Sequence, residues 1–418
     1  MKKTLANSGY IGADKSLSSE GVITLSKTYN EVTSVDQNFL PHNLPPRELI
    51  LTINTSLTGA TSATQFRINV QSSGNDFNVE WGDGQKDLNL TSDTTHTYAS
   101  SGIYQVKITG NAYLYWYGDN DGDKIIEIKN FGFAFNPLSF YRTFYNSNNF
   151  DLTSKSTPNI LNNVSAGEMF RNCTALKGKT ANWKWNLTSV TNVERMFHNC
   201  QNFDADLSNF PIHQINNGGN SSLNSLFYQC YAFNNGGSFG INNWDTSNVT
   251  NMNSLFYQCS VFNQPVGSWD VSSNTSLQQA FMRCYKFNQN IGNWDVSNLT
   301  TLYRAFRDAT QFNNGGSDSI KNWNVSNVTT FQECWYSTNF NQPIESWDVS
   351  GTTNSLAFQN MFYNCQSFNQ PLAAWSSSIR GSLSSMFYNC DSFDQDLGSW
   401  DMSSVTSLSQ FMYASAIF

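Results

Sequence analysis

The lettering of residues 254–272, SLFYQCSVFNQPVGSWDVS, returns through the second half of the chain at a nearly fixed spacing. Trp269 is followed 12 residues later by Phe281, 6 later by Phe287 and 7 later by Trp294, which closes a period of 25. Trp244, Phe256, Phe262 and Trp269 keep the same steps, as do Trp375, Phe387, Phe393 and Trp400. A unit this short cannot enclose a core, so its apolar face must be buried against the units before and after it, and the chain must fold as a stack. The second aromatic mark runs through Phe170, Phe197, Phe227, Phe256, Phe281, Phe306, Trp335, Phe362 and Phe387 to Met412, with Phe144 as a degenerate opening unit, giving about ten rungs. Where the period stretches, after Phe233 and Phe312, the letters FNNGGS stand at the same point, which predicts a loop on one face.

Within a unit, NVTNMNSLFYQC sets Val249, Met252, Leu255, Phe256 and Cys259 at helical spacings and predicts one or two turns of α- or 3₁₀-helix. FNQPVGSW is short and bounded by Gly and Pro and predicts the strand, with WDVSNVT as the corner. All eight cysteines lie among the repeats. Seven sit three residues after the motif aromatic, where Ala309 and Ser415 stand in two other units, and Cys334 is out of phase. A position that takes Cys, Ala and Ser selects a small side chain, so the column is expected to be buried, reduced thiols. Stacked copies point their side chains in parallel, which is poor geometry for a disulfide.

Only 13% of the residues are charged, against roughly 25% in an ordinary soluble domain, with Asn, Ser, Thr and Gln in their place. The net charge of -8 argues against a partner such as nucleic acid, which demands clustered Lys and Arg. No apolar run is long enough to enter a membrane, and the opening MKKTLANSGYIGADKSLSSEG lacks the apolar stretch of an export signal. His42, His96, His198 and His213 stand in four different settings, with no HExxH and no CxxC, so neither an enzyme nor a cofactor is expected. Asp119, Asp121 and Asp123 alternate as in a calcium loop, a weak candidate, since Lys124 stands where that loop needs Gly and Asn130 where it needs Glu.

The outward candidates are residues that repeat without being obliged to pack. Tyr228, Tyr257, Tyr363 and Tyr388 each follow the motif Phe and form a partly continuous column, while Asn263, Asn288, Asn341 and Asn369 open the expected strands. Rings stack on sugars and amides bond hydroxyls, so the pair of columns suits a glycan or protein ligand; the alternative is that both simply stabilise the stack. The irregular stretches INNGGN at 215–220, FNNGGS and GTTNSLAF at 351–358 break the symmetry and are further places for specificity.

The unit W-D-V-S-x-V-T-x-M-x-x-x-F-x-x-C-x-x-F-N-Q, clearest in 244–294, resembles the repeat of BspA-like leucine-rich-repeat surface proteins. Upstream, FNVEWGDGQKDLNLTSDTTHTYASSGIYQVKITG at 77–110 resembles a PKD-like module. The resemblance implies a mainly β chain with short helical turns, a PKD-like β-sandwich over 46–135 and a leucine-rich-repeat-type solenoid over 136–418; residues 1–45, with the Pro-flanked FLPHNLPPRELI, read as an extended arm. It also implies surface display and a binding or adhesive role. Bacterial surface members would carry an export signal, and this sequence shows none. A virion component, such as a phage fibre, spike or decoration protein, is therefore expected. Its arm would join virion proteins, its repeats would meet a host surface glycan or protein, and it would form a homo-oligomer in which a partner covers Phe411 and Phe418. The alternatives are a bacterial cell-surface adhesin without its signal and a structural capsid or tail spacer.

Overall fold

The computed structural model describes residues 46–71, 73–117, 121–160, 164–215 and 221–415, together with the backbone of two short strands nearer the start. The chain divides into two compact units, Met1–Pro45 and Pro46–Phe418. In the first, β1 (Ser16–Leu17) pairs antiparallel with β2 (Ile23–Thr24); the remainder of the expected arm lies outside the described residues.

The second unit begins with strand sequences whose buried positions line one core, alternately along Gln65–Ile68 and Asp76–Glu80 and continuously along 49–53. They form β3 (Leu49–Asn54), β4 (Gln65–Ile68), β5 (Asp76–Glu80), β6 (Lys86–Leu90), β7 (Thr94–Thr97), β8 (Ile103–Ala112), β9 (Ile125–Asn130), β10 (Phe135–Pro137) and β11 (Asp151–Leu152). Seven of these make one sheet in the order β11-β9-β3-β8-β5-β6, with β10 beside β8, while β4 pairs with β7 apart from it. The WGDG turn between β5 and β6 needs its first glycine: Gly82 has φ +87° and a Cβ there would lie 2.6 Å from the Gln105 carbonyl oxygen. Beside it, buried Trp81 stacks on His96 at 4.8 Å, His96 Nε2 lies 2.8 Å from Asp83, and the Tyr98 hydroxyl donates to the Trp81 carbonyl.

The sheet also starts the repeats. β9 runs antiparallel to β3 on one side and parallel to β11 on the other, pairing Glu127 with Asp151. Trp116 stacks on Phe144 at 5.6 Å, and Phe144 on Phe170 at 5.8 Å, so the opening unit is a full member of the aromatic column.

Two expectations about the unit are corrected. The parallel pairing falls in the corner, not in FNQPVGSW. It joins β12 (Val164–Ser165) to β13 (Val190–Asn192), β14 (Ser221–Ser222) to β15 (Val249–Asn251) and β16 (Gly381–Ser382) to β17 (Val405–Ser407). FNQPVGSW is irregular because Pro265 has no N–H to give and because the amide of Asn263 bonds a side chain of the preceding unit instead of a backbone carbonyl.

The M-x-x-x-F-x-x-C stretch is a run of turns, not a helix. The Leu255 and Cys259 N–H groups reach back three residues to Met252 and Phe256, but Ser254, Phe256 and Gln258 donate to Gln278, Ala280 and Met282 of the next unit at 2.8 to 2.9 Å. A helix points every N–H along its own axis. Here two residues in the left-handed region, Ser254 and Gln258, turn alternate N–H groups toward the neighbour. The same pair, four residues apart, occurs eleven times from Arg142 and Asn146 to Gln410 and Ala414.

Inside, copies stack on copies. The motif aromatics lie 5.7 Å apart from Phe197 to Phe227 and 5.5 Å from Phe362 to Phe387, and a second Phe column and a Trp column run beside them. Each buried ring contributes roughly 1.5–3 kcal/mol by leaving water. The indoles of Trp269, Trp294 and Trp400 also donate to carbonyls of the preceding unit, Ile241, Val266 and Leu372. The eight cysteines are free and buried. Their position is more than small: Cys173, Cys200, Cys230, Cys259, Cys284, Cys365 and Cys390 all donate S–H to the motif-aromatic carbonyl of the unit before. Ser415 does the same toward Phe387, which explains why Ser is accepted there. Cys334 sits just before the motif aromatic, where other units have Met, Leu or Ala, and Thr338 takes the usual thiol position, donating to Trp335.

Candidate functional site

The turns make one face of the stack, to which each contributes its two left-handed residues, the first of them buried in several units, and the residue after the motif aromatic. That last position forms a column of planar groups. His198 stacks on Tyr228 at 4.4 Å and Tyr228 on Tyr257 at 4.3 Å; Tyr336 stacks on Tyr363 and Tyr363 on Tyr388, each at 4.4 Å and within 4° of parallel. Two arginines stand in the same column, Arg171 over Tyr145 at 5.4 Å and Arg307 over Tyr336 at 4.5 Å. The expected tyrosines are thus brought together in two groups, Tyr228 with Tyr257 and Tyr363 with Tyr388, separated by the units carrying Met282 and Arg307. Their ring faces are spent on each other, so edges and hydroxyls, not faces, meet solvent. Burial pushes the Tyr228, Tyr336 and Tyr363 phenols above the usual range, and the neighbouring Tyr363 does so for Tyr388.

The asparagines form a different ladder. Asn263 Oδ1 accepts the N–H of Asn288, Asn288 Oδ1 that of Asn313, Asn313 Oδ1 that of Asn341, Asn341 Oδ1 that of Asn369, and Asn369 Oδ1 that of Asp394, at 2.8 to 3.0 Å. Gln289, Gln370 and Gln395 donate to the same oxygens in their turn. Asn263, Asn288, Asn341 and Asn369 therefore use their acceptors to join units. The FNNGGS insertions are short 3₁₀ segments, Asn235–Gly237 and Asn314–Gly316, whose buried first Asn accepts the N–H of Leu207 or Ile291. Residues 216–220 lie outside the described residues. Phe411 is partly buried and meets Phe387 edge-on at 5.4 Å, while Phe418 lies outside the description.

Reading single units hides the charge on this face. Glu168, almost fully buried, lies 2.9 Å from Arg142, 3.3 Å from Arg171 and 3.7 Å from Arg195. Further along, Arg304 and Arg307 meet Glu333, and Arg283 and Arg307 meet Asp308. Six of the chain's nine arginines stand in these two clusters, each with more cations than anions. Burial pushes the Glu168 carboxyl up, but the Arg142 hydrogen bond and the three guanidiniums outweigh it and hold it below the usual range. His198, between Arg171 and Tyr228, is lowered to about 4 by burial and then by Arg171 and Arg195, so it is neutral at ordinary pH. The signal for these residues was present in the outward columns, once all units are aligned by their turns.

At the first units the same face holds a cleft of about 430 Å³ lined by Trp116, Asp123, Asn146, Asn148, Asn172, Thr174 and Asn199. Asp123 enters it by way of a 3₁₀ turn, Asp121–Lys124, and accepts the Asn148 N–H at 2.7 Å. Asp121 points elsewhere: fully buried, it accepts from the Thr61 amide and hydroxyl and the Arg67 amide and lies 3.5 Å from the buried Lys124 ammonium. Its oxygens are taken by protein donors and do not converge with Asp123 on a calcium site; Asp119 lies outside the described residues. Among the described residues no group of three or more His, Cys, Asp or Glu could hold a metal ion.

The family described as "Mycoplasma protein of unknown function, DUF285" matches residues 138–239, 221–318 and 314–418 in tandem. The chain belongs to the DUF285 family. The three DUF285 matches together span more than half of it, including both arginine clusters and the stacked columns; Trp116 and Asp123 lie ahead of them. No curated protein and no solved structure matches the chain. Among the described residues no helix is long and apolar enough to cross a membrane.

Proposed function

We propose that this chain is a non-enzymatic, surface-displayed binding protein in which a PKD-like sandwich carries a BspA-like leucine-rich-repeat-type solenoid. The observation that carries the reading is a contrast within the repeats. Inward positions change only within a kind, Phe to Trp and Cys to Ala, Thr or Ser, whereas the outward column changes its chemistry, from Tyr to Arg, His and Met. Uniformity serves packing, and variation on a rigid outward face serves recognition. Tyrosine edges, amides and paired arginines suit a polar ligand such as a surface glycan or protein.

The setting we propose first is a virion surface, with residues 1–45 joining other virion proteins and the chain acting as a homo-oligomer. A bacterial cell-surface setting is the second reading; the family's description names a bacterium, Mycoplasma. Saturable binding of the labelled protein to intact bacterial cells tests the binding role; absence of any saturable binding overturns it. Mass spectrometry and cryo-microscopy of purified particles test the setting, since a chain found on cell envelopes and missing from particles sinks the virion reading.

A further inference from the structure

We propose that the cleft at the first units binds a neutral sugar through a pair of adjacent hydroxyls. This rests on the binding reading above and assigns one place and one ligand class to it.

The cleft stands at the head of a ladder. Asn199 Nδ2 donates to Asn172 Oδ1 at 3.1 Å, and Asn172 Nδ2 donates to Asn146 Oδ1 at 2.7 Å. Gln201 Nε2 occupies Asn199 Oδ1 at 3.1 Å. These bonds fix the orientation of all three amides, so that each Nδ2 points toward the start of the stack. Asn146 is the first of them, and its Nδ2 has no protein acceptor among the described residues. Where the next acceptor belongs, the ladder meets the sheet, and Trp116 and the cleft take its place.

Across the same space lies Asp123. Its Oδ1 is occupied by the Asn148 amide, and its Oδ2 has no protein donor among the described residues. Asn148 and Thr174 complete the lining, with Asn148 Nδ2 held by the Asn146 carbonyl. The cleft thus presents one fixed donor and one carboxylate acceptor, within the volume range of ordinary ligand sites. Vicinal hydroxyls meet both demands, one accepting from Asn146 and one donating to Asp123. Among the described residues no Lys or Arg lines the cleft, and the carboxylate disfavours anionic sugars. Trp116 is 1% exposed and serves as the floor, so recognition is through hydroxyls rather than ring stacking.

The test is saturation-transfer NMR on the full chain with the methyl glycosides of glucose, galactose, mannose and N-acetylglucosamine, and with N-acetylneuraminic acid as the acidic comparison. Transfer to at least one neutral glycoside is expected, weakened about tenfold or more in both Asp123→Asn and Asn146→Ser and unchanged in Leu88→Ala, a substitution at an exposed sheet residue outside the cleft, with thermal unfolding confirming that each variant is folded. Transfer unaffected by both cleft variants, or preference for the acidic sugar, overturns the proposal. Saturable cell binding without transfer to any glycoside overturns it while leaving the binding reading intact; absence of both overturns the two together.

Discussion

The Cys284 thiol donates a 2.9 Å hydrogen bond to the Phe256 carbonyl of the preceding unit, and that same carbonyl accepts the Cys259 N–H at 2.9 Å. Both lone pairs are thereby used in a dry interior, one within the unit and one between units.

Removing the thiol leaves a carbonyl half satisfied and a small void. Cys284→Ala is expected to cost about 1–2 kcal/mol and Cys284→Ser less than about 1 kcal/mol, because the hydroxyl keeps the donor. Equilibrium unfolding in urea reads the difference. Burial pushes the thiols above their usual range, so a thiol-specific reagent at pH 8 is expected to label none of the eight in the folded chain and all of them in denaturant.

Asn288 Oδ1 serves two amides of the next unit, Asn313 at 2.8 Å and Gly315 at 2.9 Å. Asn288→Ala strips both and is expected to cost about 2–3 kcal/mol, whereas Asn288→Asp is expected to be mild. The chain already uses the acid at an equivalent place, where Asp204 accepts from Asn234 and Gly236. Comparison of urea midpoints of the two variants checks this.

The fold was legible where chemistry repeats. Phe197, Phe227 and Cys230 recur because a dry column admits little else, and their spacing alone dictates a stack. The strand and the turn were misplaced because the deciding feature, a left-handed backbone, is carried by Ser254, Gln258, Glu333 and Arg304 as readily as by Asn. Such residues leave no glycine-like mark in the letters. Tyr257 and Asn341 were legible as members of repeating columns, but their occupied faces and acceptors depend on contacts across units. Arg142, Glu168 and Arg195 were missed because each is an ordinary charge in its own unit and a cluster only when three units are laid side by side.

Asn360 has φ +55° and no protein partner for its side chain among the described residues, which isolates the backbone effect. Asn360→Gly is expected to change stability by less than about 1 kcal/mol, while Asn360→Val, β-branched and averse to this region, is expected to cost about 2 kcal/mol. Thermal unfolding of the pair, with the glycine variant as the control for lost side-chain atoms, is the measurement.

His198 has a folded pKa of about 4 against an unfolded value near 6.5. The unfolded chain therefore binds the extra proton between these values. The contribution of the neutral ring is fully present above about pH 6.5 and is lost as pH falls toward 4, with a ceiling of roughly 3 kcal/mol. His198→Gln is expected to flatten that part of the stability profile, measured by urea unfolding from pH 7 to pH 4.5. An unchanged slope means that burial, with Arg171 and Arg195 beside it, does not hold the ring neutral.

The chain's hand-over rule is local: a unit offers its successor the same carbonyls, amides and ring faces that it received. Nothing in that exchange counts how many times it has happened. An in-frame duplication of one 25-residue stretch in the gene would therefore slot into register, lengthen both outward columns by a single step and shift the spacing between the two arginine clusters without rebuilding either. Reach and cluster spacing can thus vary between descendants by whole increments through copying errors alone, while the interior stays as it was.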